Sequence, residues 1–202
     1  MVIIEKIKVN RNSADITVNG EIYKKANLEA VAKFKLKEGE ISSEEYMEFY
    51  KESDKLNAKK YVFDVLARAP KTEKQCREKL YQKGYLKESV DYAIDTAKAY
   101  GYISDENFAK YYVDTRASAT GNYRLKNELK MKGVSEDIIG ETLAEREDET
   151  ECAISVARKF IKGKDLSDEK TYERLMRRLA MRGFNYDDIK TAISKIKEES
   201  DN

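Results

Sequence analysis

The sequence spells the same short phrase three times. It reads Leu80-x-x-Lys83-Gly84-Tyr85, then Leu129-x-x-Lys132-Gly133-Val134, then Leu179-x-x-Arg182-Gly183-Phe184, with the glycines 49 and 50 residues apart. The agreement extends beyond the phrase. Eight residues before each glycine stand Cys76, Leu125 and Leu175; six after stand Val90, Ile139 and Ile189; ten after stand Ile94, Leu143 and Ile193. One such match in a helical protein is chance periodicity. Three matches in register at nearly equal intervals define an internal repeat, and a repeat fixes the architecture before any single residue is interpreted.

The physics of one unit follows from its residues. An apolar pair at i, i+4 ahead of the glycine is one face of a helix. The basic residue next to the glycine interacts with the last carbonyls and with the negative end of the helix dipole. The glycine takes the left-handed conformation that closes a helix, and an apolar residue follows it, as that cap motif prefers. Ser135 and Asn185 are then placed to cap a following helix whose buried face carries the next i, i+4 pair. A further helix precedes each phrase, over 56–68, 107–116 and 149–160. The unit is therefore three helices in about 50 residues, too small to bury enough surface alone, so neighbours are expected to pack in a line. The acidic run Glu147-Asp148-Glu149, like Asp187-Asp188, sits where the first turn of a helix favours negative charge.

Upstream of the repeats the pattern has a period of two. Val2, Ile3, Ile4, Ile7 and Val9 form one branched run, and Ile16 to Tyr23 forms a second that contains Asn19-Gly20. Asn-Gly between such runs is a hairpin signal, because both residues tolerate positive φ. Asn10 to Ser13 is the expected earlier turn. Leu28, Val31 and Ala32 then sit at helical spacing, Lys37-Glu38-Gly39 ends that piece, and Ser42 or Ser43 caps a helix that runs to about Leu66, ahead of Pro70, the only proline. The expectation is a mainly α protein: three tandem three-helix repeats in an elongated array, preceded by a small N-terminal antiparallel β segment. The expected boundaries are 1–50 for the β segment with a short helix, and 51–104, 105–147 and 148–202 for the repeats.

Charge is patterned along this array. Lys plus Arg is 39 and Asp plus Glu is 38, so basic patches arise only by local clustering. The middle helices cluster it: 71–83 carries five basic residues against two acidic, 121–133 four against one, and 170–183 five against one. The stretch 135–151 reverses this, with eight acidic residues and one Arg. Repeated basic helices suit a polyanion or an extended acidic surface. The ordinary meaning of charge on a helix, a solvated face supported by i, i+4 pairs, stands beside that reading. The 14 tyrosines fall mostly beside the apolar stripe, as Tyr61, Tyr92, Tyr112 and Tyr172 do, and are read as packing rather than as base-stacking platforms.

Residue types needed for common chemistries are missing. There is no His, which removes Ser-His-Asp and Cys-His catalysis and every His-based metal site. Cys76 and Cys152 are the only cysteines and form no closely spaced ligand pair. Cys76 occupies a core position. Gly163-Lys164 lacks the partner glycine of a phosphate-binding loop. No run approaches the roughly 18 apolar residues of a membrane span. The expectation is a cytoplasmic binding protein, monomeric, without catalytic residues, cofactor or metal.

Particular motifs resemble the RecX family of bacterial recombinase regulators. Arg68-x-Pro70-Lys71-Thr72 followed by Arg77-x-Lys79-Leu80-x-x-Lys83-Gly84-Tyr85 is similar to the family's first-repeat signature. Gly101-Tyr102-Ile103-Ser104-Asp105-Glu106-x-Phe108-Ala109-x-x-Tyr112-Val113 resembles the junction of its first two repeats, and Leu179-x-x-Arg182-Gly183-Phe184 its closing repeat. The resemblance runs from about residue 55 to 197, and the β segment is similar to the extension of longer members. Gln75 and Cys76 stand where the family usually has an acidic residue and Leu, Lys71 and Thr72 replace Arg and Ser, and Gly121 stands where a hydroxyl cap is expected. The resemblance implies a non-enzymatic protein that binds the RecA recombinase, lies in the groove of its DNA filament, and restrains ATP hydrolysis, strand exchange and filament extension. Direct binding to single- or double-stranded DNA is the alternative, since three-helix units resemble helix-turn-helix modules. The candidate contacts are the outward basic positions of the middle helices: Lys74, Arg77, Lys126, Lys130, Arg174, Arg177 and Arg178.

Overall fold

A computed structural model describes residues 1–146 and 149–200. Glu147 and Asp148 of the expected acidic helix start lie outside the described residues. The chain divides into two compact units, Met1–Ser104 and Asp105–Asn202.

The first unit opens with strands β1 (Val2–Val9), β2 (Ala14–Val18) and β3 (Glu21–Ala26). Asn19 and Gly20 join β2 to β3 with φ of 49° and 82°, the mirror-image turn geometry that Asn-Gly favours because it matches strand twist. Asn19 also accepts a hydrogen bond from the Ile3 amide at 3.0 Å, tying the turn back to β1. The helix α1 (Leu28–Lys33) is capped by the Asn27 side chain. It leads to a strand that the sequence pattern did not suggest, β4 (Gly39–Ile41), which pairs antiparallel with the start of β1. The sheet order is β3-β2-β1-β4. β4 is three residues long with a glycine and a glutamate, too short and polar to show alternation.

The helix α2 (Ser43–Leu66) has 24 residues and is about 36 Å long. Ser42 caps it by accepting from the Glu45 amide at 3.0 Å. Phe49 in its first half is buried with Ile4, Ile16 and Ala30 against the sheet, whereas Ala58 and Val62 in its second half are buried with the first repeat. The position 50/51, expected as a domain boundary, falls inside this continuous helix, so the β segment and the first repeat share one element. The repeat continues with α3 (Glu73–Gln82) and α4 (Lys87–Ala99). Thr72 and Gln75 complete a reciprocal capping box. Gln75, one of the sequence's departures from the family pattern, serves that role because Gln and Glu are equivalent there. The start of α4 has Leu86 in place of a hydroxyl cap, and the buried Asp54 of α2 substitutes by accepting from the Leu86 amide at 3.0 Å.

The second unit contains two repeats. These are α5 (Asp105–Arg116), α6 (Asn122–Met131) and α7 (Glu136–Ala144), then α8 (Glu149–Ile161), α9 (Glu169–Met181) and α10 (Tyr186–Ser200). All three middle helices end alike. Gly84, Gly133 and Gly183 have φ of 84°, 92° and 86°, and the next amide, from Tyr85, Val134 or Phe184, donates back to the carbonyl of Leu80, Leu129 or Leu179. That is the hydrogen-bond pattern of a left-handed helix terminator. The recurring apolar positions are buried in all three repeats except Tyr85 and Leu143, which are partly buried. Ser135 and Asn185 cap α7 and α10 as expected.

Candidate functional site: the basic middle helices

Within the second unit the middle helices of the two repeats meet end to end. The amide of Gly121, at the start of α6, donates to the carbonyl of Arg182 at 2.8 Å, and the amide of Tyr123 donates to the carbonyl of Gly183 at 3.3 Å. Two side chains reinforce the joint: Arg182 donates to the Ala119 carbonyl at 2.6 Å and Arg124 to the Met181 carbonyl at 3.2 Å. Two free amides at the start of one helix are thus satisfied by two carbonyls at the end of another, which brings the positive end of one helix dipole to the negative end of the other. This accounts for Gly121 in place of a hydroxyl cap. A Cβ at Gly121 would lie 2.2 Å from the Gly183 carbonyl, and one at Gly183 would lie 2.3 Å from the Arg124 Cβ. Gly84 has nothing within 4 Å and is needed for its backbone angle alone.

The seven candidate residues fall into three environments. In the first repeat Lys74 is exposed. Arg77 does not face outward as expected: its side chain is 30% exposed and held by Glu73 at 2.8 Å and Asp91 at 2.6 Å. Burial opposes the Arg77 charge, but the bonds to Asp91 and Glu73 more than offset it and hold the guanidinium above its usual range. Glu73 is in turn drawn below the usual carboxylate range, chiefly by its hydrogen bond to Lys98. In the second repeat Lys126 and Lys130 are exposed but converge on Glu136, at 3.1 and 2.7 Å. Their hydrogen bonds, that of Lys130 foremost, lower the Glu136 pKa.

The third repeat differs. Arg174, Arg177 and Arg178 are exposed and make no ion pair among the described residues. They line a groove of about 360 Å³ together with Arg124, Arg182, Phe160 and Met181. Arg178 lies over the Phe160 ring at 5.4 Å, and Lys164 lies over it at 3.7 Å. No carboxylate lines this groove among the described residues, but Arg124 is paired with Glu128 of its own helix at 2.9 Å. Arg124, Arg182, Phe160 and Met181 were not among the sequence candidates. Arg182 was visible as the basic member of the repeated phrase, but Arg124 reaches the groove only because α6 abuts α9.

Tyr61, Tyr92, Tyr112 and Tyr172 are all partly buried, as their place beside the apolar stripe suggested. Among the described residues no cluster of three or more His, Cys, Asp or Glu residues is arranged to hold a metal ion. No described helix is long and apolar enough to cross a membrane.

Tandem three-helix domains with basic middle helices, behind a small antiparallel sheet, define a helical-repeat protein. Three family models match in turn: the first three-helix domain of RecX at residues 58–96, the second at 104–143 and the third at 147–193. The regulatory protein RecX of Clostridium perfringens (strain SM101) is 31% identical over 199 residues, covering 96% of this chain and 94% of that protein. That of Caldanaerobacter subterraneus subsp. tengcongensis is 32% identical over 197 residues, covering 96% and 99%. The chain belongs to the RecX family. Among solved structures, a regulatory protein RecX shares the fold with a TM-score of 0.66 at 20% identity, covering 94% of this chain and 98% of that one. RecX from Lactobacillus salivarius does so at 0.63 and 22% identity, covering 71% and 97%. The first of these matches and both relatives extend over nearly the whole chain, well beyond the expected span of 55 to 197.

Proposed function

We propose that this chain binds the RecA recombinase in the groove of its DNA filament and restrains ATP hydrolysis, strand exchange and filament extension, acting in the cytoplasm as a monomer without cofactor. The observation that carries this reading is the presence of three RecX domains in tandem, each with a basic middle helix. A filament offers the same acidic or phosphate-bearing surface many times over. Three similar basic units on one chain engage such a polymer with the second and third contacts effectively intramolecular, so individually weak contacts sum to a firm grip. A protein that binds one conformation of successive protomers better than another holds them in it and opposes the motions of turnover. Lys74, Lys126, Lys130, Arg174, Arg177 and Arg178 are the contacts proposed for this grip, with Arg77 acting through its ion pairs to hold α3 on α4.

The test is a titration of a RecA–single-strand filament. ATPase activity is expected to fall at well below one molecule of this protein per protomer. Unchanged activity at saturation refutes the reading. Direct binding of DNA is a second reading, favoured specifically by Arg174, Arg177 and Arg178 of α9, which make no ion pair among the described residues.

A further inference from the structure

Several tyrosine rings of this chain are covered by its own cations. Tyr61, Tyr92, Tyr112, Tyr172 and Tyr186 each have a Lys or Arg over the ring, at 4.0 to 5.7 Å. Tyr23, Tyr46 and Tyr50 share one groove of about 530 Å³ between β3 and α2, and among the described residues no cation lies over any of them. We infer that this groove is a docking site for an extended protein segment that bears an arginine, the guanidinium entering between the three rings and the segment's backbone adding to the open edge of β3. The groove lies outside the residues matched by the three RecX domains, and so is separate from the contacts proposed on the middle helices.

Three observations support this. The first is the set of rings. Tyr46 and Tyr50 are one turn apart on α2 and so share a face of it. Tyr23 comes from β3, with its ring 5.1 Å from that of Tyr50. Tyr23 and Tyr46 back onto the buried Phe49 at 6.4 and 6.1 Å, which holds them in place. Burial pushes the Tyr23 hydroxyl up to about 12 and raises that of Tyr46. Both therefore stay neutral and act on a cation through the negative face of the ring. The second observation is charge. Glu21 is the only charged residue lining the groove among the described residues. It is exposed and makes no ion pair among them. An anion finds no partner there, whereas a cation finds one carboxylate and three rings. The third is the edge. β3 ends the sheet, and its ladder with β2 uses one side only. The backbone of Glu21, Ile22, Tyr23 and Lys24 makes no other hydrogen bond among the described residues. Beyond Lys24 the edge closes: Lys25 has a φ of 61°, and its carbonyl accepts from the Asn57 side chain at 2.9 Å. The open stretch seats a short extended segment by strand addition, and the groove beside it selects a side chain. Arginine suits the groove better than lysine, because its flat guanidinium stacks on rings and is more weakly hydrated.

The experiment is an NMR titration of the full-length protein, isotope-labelled at the tyrosine rings and the backbone amides, with the peptide acetyl-Thr-Val-Arg-Val-Thr-amide. A comparison peptide has citrulline in place of the arginine, which keeps the shape and removes the charge. The arginine peptide is expected to shift the Tyr23, Tyr46 and Tyr50 rings and the Ile22 and Lys24 amides. It is expected to bind about tenfold more tightly than the citrulline peptide. Y50L removes one wall and is expected to reduce that preference to about threefold, whereas Y50F keeps the ring and preserves it. E21Q is expected to weaken the arginine peptide alone, by about threefold. E141Q, the same change at an exposed position of α7, is expected to bind as the wild type does. Far-UV circular dichroism checks the fold of each variant, and should Y50L unfold, E21Q against E141Q completes the test. Equal affinity for the two peptides, an undiminished preference in both Y50L and E21Q, or no ring shift at millimolar peptide overturns the inference. Acetyl-arginine amide binding as tightly as the peptide makes the groove a site for small cations and overturns the docking of a segment on β3.

Discussion

Two glycines of the second unit give opposite answers to the same substitution. Gly121 starts α6 as its N-cap residue, and by local rules alone a serine there gains a few tenths of a kcal/mol over glycine. The structure reverses the sign. A Cβ at Gly121 meets the carbonyl carbon and oxygen of Gly183 at 2.2 Å and the Phe184 amide nitrogen at 2.4 Å, and backbone atoms cannot rotate away. The chain either accepts an overpacked joint, at about 1–3 kcal/mol, or opens it. Opening releases the Gly121–Arg182 and Tyr123–Gly183 backbone bonds and the two arginine–carbonyl bonds, each worth about 0.5–1.5 kcal/mol net. The four bonds together come to about 2–6 kcal/mol, so the chain takes the cheaper, overpacked route and G121A costs about 1–3 kcal/mol. Gly140 is exposed in the interior of α7, and a Cβ added there would have no neighbour within 4 Å, so G140A stabilises the helix by about 1 kcal/mol. Urea unfolding of the full chain followed by circular dichroism reads both shifts, and hydrogen exchange at the Gly121 and Tyr123 amides localises them. G121A is expected to lower the midpoint and deprotect both amides, and G140A to raise it. A G121A midpoint at or above the wild type's refutes the account of the joint.

Two further perturbations check the first unit and the acid–base behaviour of the second. D54A removes the acceptor for the Leu86 amide at the start of α4 and is expected to cost about 1 kcal/mol, read as a lower urea midpoint; the same cost is expected in the G140A background, since the two sites share no partner. Glu149 is half-buried, and burial raises its pKa despite the hydrogen bond from the Asn122 amide. The folded state therefore disfavours its ionised form: the penalty is absent below the unfolded pKa near 4.5 and fully present above the raised folded one. E149Q, which keeps the acceptor oxygen, is expected to stabilise the protein at neutral pH by less than about 1 kcal/mol after solvent screening and to match the wild type at pH below 4 in thermal melts. An E149Q variant less stable than the wild type at pH 7 refutes this.

The fold was legible wherever the relevant physics is local. Period-two runs with Asn19-Gly20, and leucine pairs ending in Gly84, Gly133 and Gly183, each state their conformation within a few residues. β4 was not legible because its identity comes from pairing with β1, 35 or more residues away, and not from its own three residues. Asp54 as a cap for Leu86 is the same case, a partner 32 positions away. The candidate residues show the limit most sharply. Outward position on a helix is legible from periodicity for Lys74, Lys126, Lys130, Arg174, Arg177 and Arg178, though not for Arg77, but whether a basic residue is neutralised depends on where Asp91 or Glu136 comes to lie, which periodicity does not report.

Gly121 joins these strands of argument. It breaks the repeat's own pattern, lacking the hydroxyl that caps α3 through Thr72, and by that departure lets the carbonyl end of α9 take over the capping of α6. The consequence reaches the surface: Arg124 is carried to the arginines of α9, and a groove forms that neither repeat builds alone. The repeated positions thus specify three similar domains, because each must close its own small core. The positions that deviate decide what the domains do together, because a residue released from the consensus is available for contact between repeats. A protein made of tandem copies gains a new surface in this way without altering any core, and the departure that looks like a weakened cap in the sequence is the residue on which that surface depends.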